Sequence, residues 1–133
     1  MQKITNFLMF EGRAEEAMNF YISLFENSKV EHIIKYGPNQ GGAEGSIMHA
    51  KFTLGGQEFM CIDSAVKHQF TFTPAMSLYV ECSSEDETDK LFSALSERGQ
   101  VLMPLGVYPF SKKYAWLSDQ FGVSWQLSYN GST

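Results

Sequence analysis

Trp116-Leu117-Ser118-Asp119-Gln120-Phe121-Gly122-Val123-Ser124-Trp125-Gln126-Leu127 reads as strand, tight turn, strand. Apolar residues alternate with polar ones on both sides of the Asp119–Gly122 turn, and glycine supplies the backbone freedom the reversal needs. A weaker copy stands earlier, at Phe52-Thr53-Leu54-Gly55-Gly56-Gln57-Glu58-Phe59-Met60-Cys61-Ile62. Sliding the chain by 66 residues lays Gly56 on Gly122 and Phe59 on Trp125. One repeated hairpin points to a chain built twice.

The elements outside the hairpins repeat in the same order. In the first half, residues 4–10 read as a strand and Glu11-Gly12-Arg13 turns the chain into a helix. There Ala14, Ala17, Met18, Tyr21, Leu24 and Phe25 recur at three and four, giving one buried stripe. Glu15 and Glu16 suit the positive end of the helix dipole. A strand from Val30 to Tyr36 follows, with Val30, His32, Ile34 and Tyr36 expected on one face. Gly37–Gly45, with four glycines and a proline in nine residues, is a loop, either a lid or a plain long hairpin. Strands over Ile47–Leu54 and Gln57–Asp63 complete βαβββ.

The second half starts after a connector, 64–74, whose Phe70 and Phe72 are expected to be pinned over the core. Met76–Cys82 alternates as a strand. Ser83 or Ser84 caps a helix over Glu85–Glu97, with Glu87 completing a capping box. Strands over Val101–Leu105, Lys113–Ser118 and Val123–Tyr129 follow, with 106–110 as a loop. A shift of 71 places Tyr21 on Phe92, Leu24 on Leu95 and Val30 on Val101. The expected organisation is therefore α+β: two tandem βαβββ modules, 1–63 and 75–133, forming a half-open barrel within one domain.

Composition bounds the function. With 133 residues, 44% hydrophobic and 14% aromatic, the chain can bury a core and is not expected to be disordered. A net charge of −5 argues against a nucleic-acid partner, which needs a basic face to displace counterions. The apolar run in Met1–Phe10 is too short for a signal peptide or a membrane span, so no membrane association and a cytoplasmic location are expected. Cys61 and Cys82 sit in apolar strands without CxxC spacing and read as buried thiols.

Each four-stranded sheet has one helix to cover one face, so the other face must be buried or enclose something. Leu78, Val80, Trp125, Leu127 and Tyr129, together with Met76, are expected under the helices. Ser77, Tyr79, Glu81, Ser124, Gln126 and Ser128 would then face the concave side, where two modules curled together would hold a small molecule. The alternative is that these polar residues face solvent on an open sheet.

Phe10-Glu11-Gly12-Arg13-Ala14-Glu15-Glu16-Ala17, followed by Phe20-Tyr21 and Leu24-Phe25, resembles the opening of the PhnB-like branch of the vicinal oxygen chelate superfamily. So do Gly45-Ser46-Ile47-Met48, Leu54-Gly55-Gly56-Gln57 and the stretch from Trp116 to Gln126. That superfamily groups glyoxalase I, bleomycin- and fosfomycin-resistance proteins and extradiol dioxygenases. The branch also carries a 3-demethylubiquinone-9 3-methyltransferase-like name. The resemblance implies a bacterial-type protein, the paired βαβββ fold and a homodimer.

Metal-using relatives send four side chains into the barrel, usually His, Glu or Gln, from the first and last strands of each module. The matching positions implied here are about Asn6, Met60, Ser77 and Gln126. A one-residue register error would bring in Cys61 or Thr5, and two residues Asp63, Glu58, Ile62 or Tyr79. None of these makes a His-rich set, so no metal centre and no cofactor are expected. No Gly-rich loop joins a strand to a helix in the way that holds a nucleotide-like cofactor, which leaves the methyltransferase name without support.

The expected ligand-binding residues are Asn6, Met60, Ser77, Tyr79, Glu81 and Gln126, with Phe10 and Trp116 as apolar walls. No catalytic residue is assigned; Glu81 is the candidate general base if the face encloses it. The leading expectation is a protein that binds a small organic molecule between its modules without a metal. Two alternatives stand beside it. One is a glyoxalase-type lyase or isomerase holding a divalent ion through Gln126 with Glu58 or Glu81. The other is a dimerisation or partner-binding module.

Overall fold

The computed structural model describes residues 2–131. Its elements run β1 (Asn6–Phe10), α1 (Ala14–Leu24), β2 (Lys29–Lys35), β3 (Ile47–Leu54), β4 (Gln57–Asp63), β5 (Leu78–Glu81), α2 (Glu85–Ser96), β6 (Gln100–Tyr108), β7 (Ser111–Ser118) and β8 (Ser124–Tyr129). The strands form two sheets of four, ordered β1-β4-β3-β2 and β5-β8-β7-β6. The same βαβββ unit therefore occurs twice, each time with its first strand parallel to its last. Two compact units result, Met1–Thr71 and Phe72–Thr133.

In the first unit α1 packs on β3 and β4. It buries Ala14, Ala17, Met18 and Tyr21 against Leu8, Phe10, Ala50, Phe52, Phe59 and Cys61. No side chain caps α1 from Arg13. Asp63, at the end of β4, accepts the backbone N–H groups of Gly12 (2.7 Å) and Ala14 (2.9 Å) on Oδ1 and that of Ile47 (2.9 Å) on Oδ2. A carboxylate at a helix N-terminus satisfies orphan donors and complements the dipole.

In the second unit α2 lies across β6, β7 and β8 and buries Thr88, Leu91 and Leu95. Ser84 is the cap, accepting the Glu87 N–H at 3.0 Å. The Glu87 carboxylate reaches back to the Ser83 N–H (3.0 Å) rather than to the cap residue itself, a one-residue variant of the expected box. In the hairpin that closes the unit, Asp119 Oδ1 accepts from the backbone N–H groups of Phe121 and Val123, and Oδ2 accepts from Trp125 Nε1. Gly122 takes a positive φ of 92°. One carboxylate thus shapes the turn and ties it to the buried indole.

Local sequence misplaces four features. β6 runs through the expected 106–110 loop as far as Tyr108, because Gly106 and Tyr108 still pair with Tyr114 and Ser111 of β7 and register shifts near Met103 and Gly106 absorb the irregularity. In β2 a register shift between Val30 and His32 sets Val30 opposite buried Phe52 and His32 opposite Lys51, so Val30 does not share a face with His32 and Ile34. Met76 precedes β5 and is exposed instead of lying under α2. Phe70 is exposed as well, stacked on His68 with ring centroids 4.6 Å apart. The Gly37–Gly45 stretch closes as a hairpin, with Tyr36 N–H donating to Ser46 O and Gly45 N–H to Tyr36 O.

Candidate functional site

Strand alternation assigns each sheet a helix-covered face and an uncovered one. In the second unit, Leu78, Val80, Trp125, Leu127, Ala115 and Leu117 alternate onto the α2 side, where Lys113 also pairs with Asp89 (2.6 Å). Tyr79, Glu81, Ser124, Gln126, Ser128, Tyr114 and Trp116 fall on the other face. The expected split of these strands into an apolar and a polar-aromatic face is therefore present. Ser77, just before β5, joins the second set through its hydroxyl, 2.7 Å from that of Ser124.

The groups on this face are tied to one another. Trp116 Nε1 donates to Ser124 Oγ at 2.9 Å, and Tyr114 Oη donates to Gln126 Oε1 at 2.6 Å. Gln126 lies directly opposite Tyr79 on one side and Trp116 on the other. Around Tyr114, the rings of Tyr108 and Phe110 pack edge-on with centroids 5.4 and 4.8 Å away. Burial pushes the Tyr114 phenol pKa upward, helped by Tyr79 and Tyr108, which keeps it a proton donor. Aromatic walls around one oriented amide suit recognition of a small organic molecule.

In the first unit, β1 and β4 run with Asn6 opposite Phe59 and Phe7 opposite Met60. Phe59 is buried, so Asn6, Leu8 and Phe10 alternate onto the α1 side, and Phe10 is a core residue there. This corrects the placement of Asn6 and Phe10 on the ligand face. The physical reason is that β1 is apolar on both sides, so alternation within it carries no direction. Its uncovered face presents Phe7 and Met9 beside Met60 and Ile62. The structural pairing sets Asn6 in step with Leu78, one residue beyond the match made by the shift of 71. Phe7 is the residue that sequence reasoning missed, and the parallel register would have found it.

By that register, Phe7, Met60, Tyr79 and Gln126 stand where the superfamily's metal ligands would be carried. A phenyl ring, a thioether, a phenol and an amide make a poor donor set for a divalent cation. Among the described residues, no group of three or more His, Cys, Asp or Glu side chains is placed to hold a metal ion. Glu58, a carboxylate of the metal-dependent alternative, is ion-paired with Lys3 and with Lys51. His32 and His49 lie with ring centroids 5.4 Å apart on β2 and β3, and His68 Nε2 is 3.0 Å from Ser64 Oγ in the connector. The residues present do not fit the metal centre.

A cleft of about 270 Å³ opens in the first unit beside Glu11, Gly12, Ser46, Asp63, Ser64 and Val66. Three of its polar residues serve the fold: Asp63 holds three backbone N–H groups, while Ser46 and Ser64 donate to the carbonyls of Ala43 and Val66. The two cysteines are buried and free. Burial, with a smaller contribution from Asp63, pushes the Cys61 thiol pKa up to about 12, far from a nucleophile's range.

Comparison with known proteins agrees with this architecture. The sequence model described as 3-demethylubiquinone-9 3-methyltransferase matches residues 2–128. A PhnB protein from Bacillus cereus is 64% identical and superposes with a TM-score of 0.94, with 96% of this chain and 99% of that one covered. Protein PA1353 from Pseudomonas aeruginosa is 27% identical, with a TM-score of 0.85 over 99% of this chain and 100% of that one. At 11% identity, the fosfomycin resistance protein FosX from Listeria monocytogenes, complexed with Mn(II) and 1S,2S-dihydroxypropylphosphonic acid, shares the fold with a TM-score of 0.65. It is covered over 92% of its length by 96% of this chain. A search of curated proteins finds none that matches. With its whole architecture and nearly its whole length accounted for, the chain belongs to the PhnB-like, 3-demethylubiquinone-9 3-methyltransferase family.

Proposed function

We propose that this protein binds a small organic molecule against the uncovered face of its second sheet, without a metal ion. The observation that carries this reading is the row Tyr79–Gln126–Trp116, side by side across β5, β8 and β7, with an amide flanked by two aromatic side chains. The second module's expected ligand residues, Ser77, Tyr79, Glu81, Gln126 and Trp116, belong to this one face. Met60 belongs to the corresponding face of the first sheet.

The methyltransferase name attached to the family finds no chemical counterpart here. Helix N-termini are ready sites for anionic groups such as the phosphates of nucleotide cofactors. In this chain Asp63 occupies the N-terminus of α1, while Ser84 and Glu87 serve that of α2. The chain's own acceptors stand at both helix N-termini, which supports the reading that neither serves as an anion site.

The test is a thermal-shift screen against uncharged aromatic compounds, repeated with Trp116→Ala. A genuine ligand raises Tm with the logarithm of its free concentration over Kd once that ratio exceeds one, by mass action. The variant should lose at least about tenfold in affinity, as expected for an aromatic anchor. Equal shifts in wild type and variant would move the site elsewhere.

A further inference from the structure

The chemistry of the ligand can be narrowed from the way Gln126 is held, on the reading that the uncovered face of the second sheet is the site. An amide side chain presents either its carbonyl or its NH2 group, and the hydrogen bond it makes within the protein decides which. Tyr114 Oη stands 2.6 Å from Gln126 Oε1. That separation belongs to O–H···O geometry and is short for N–H···O, whose usual distance is nearer 2.9 Å. The phenol therefore donates and the amide oxygen accepts. Nε2 is left with no acceptor among the described residues, on a half-buried side chain between Tyr79 and Trp116.

The surrounding polar groups do not compete for it. Trp116 Nε1 donates to Ser124 Oγ, and the Ser77 and Ser124 hydroxyls bond to each other. The charges that alternation places on this face are one of each sign, Glu81 opposite Ser128 and Lys112 beside Asn130 on β7, so neither sign prevails for a charged ligand. What the face offers a visitor is thus an oriented pair of N–H donors bordered by aromatic rings. We propose that the ligand is a flat, uncharged, conjugated carbonyl compound, whose carbonyl oxygen accepts from Gln126 Nε2 while its ring system lies against Tyr79 and Trp116.

Acetophenone and ethylbenzene make a matched pair of probes, similar in shape but differing in the acceptor. Each is titrated into 15N-labelled full-length protein, with the Gln126 side-chain NH2 resonances followed by NMR. Acetophenone is expected to bind about 3- to 10-fold more tightly, the ratio one neutral hydrogen bond supplies, and to shift the Gln126 NH2 pair. Gln126→Glu retains an oxygen for Tyr114 and removes both donors; it should erase the preference while ethylbenzene still binds. Tyr114→Phe keeps Gln126 but releases its orientation, and should reduce the preference without abolishing binding of either probe.

Equal affinity of the two probes for wild type, or a preference that survives in Gln126→Glu, would overturn the carbonyl assignment and leave the binding face standing. A Gln126 NH2 pair that stays still while acetophenone binds would overturn it too. Failure of both probes to perturb Tyr79, Trp116 or Gln126 would overturn the site itself, and the assignment with it.

Discussion

At the scale of single residues, the buried carboxylates of Asp63 and Asp119 each hold three N–H groups in place. Asp119 accepts three N–H groups, one of them from the buried Trp125 indole. Asp119→Ala removes the carboxylate those donors share and should lower unfolding free energy by about 3 kcal/mol, with Asp119→Asn less harmful, as read from urea melts. Cys61 carries a second residue-level prediction. Its thiol has an ordinary pKa of 9.0 and is raised in the folded chain to about 12, chiefly by burial. An acid whose folded pKa is raised loses its proton first in the unfolded state, so stability is full below pH 9 and falls as pH climbs from 9 towards 12. Cys61→Ala should flatten that decline in urea midpoints, and the native wild-type thiol should resist alkylation at pH 8. The identity of Asp119 as a turn residue was legible, since Asp and Gly bracket a reversal between alternating segments. Its bond to Trp125 was not, because a side-chain contact across a hairpin depends on which way the indole turns.

At the scale of elements, most of what was legible came from patterns with a single interpretation. Spacing of three and four in Ala14–Leu24 has one buried stripe, and the helix follows it. The Ser84 cap follows from side-chain chemistry in the same way, and Ser84→Ala should cost about 1 kcal/mol, shifting the urea midpoint with an unchanged slope. Gly99 marks a constraint that the sequence leaves silent. A Cβ there would stand 2.2 Å from Ser118 O, where the chain leaving α2 passes the end of β7. Gly99→Ala should therefore destabilise by about 1–3 kcal/mol, a cost of overpacking against backbone rather than of helix propensity. A circular-dichroism melt of the variant beside wild type measures it. The extended β6 was misread for a related reason. Gly106 is a breaker by local rules, and only pairing with β7 at the sheet edge carries the strand past it.

At the scale of the whole molecule, duplication is the organising fact: both sheets have the order first, last, third, second strand of their own unit. Fold and site differ in how much they owe to it. The prediction at this scale concerns metal. Dialysis against EDTA should leave Tm and acetophenone binding unchanged, and elemental analysis should find no stoichiometric Ni, Zn, Mn or Fe. A metal that survives dialysis at one per chain would overturn the metal-free reading. By itself the sequence determined the order of elements, the repeated hairpin and the polar-aromatic face of β5 and β8, because each is written in local periodicity. Only tertiary structure decided that Phe7 rather than Asn6 lies on the uncovered face of the first sheet, and which end of the Gln126 amide is presented. Those depend on strand register and on a cross-strand partner, Met60 for Phe7 and Tyr114 for Gln126, that lies far away along the chain or across a hairpin. A strand apolar on both sides, and an amide with two nearly identical ends, hold no direction until a neighbour supplies one.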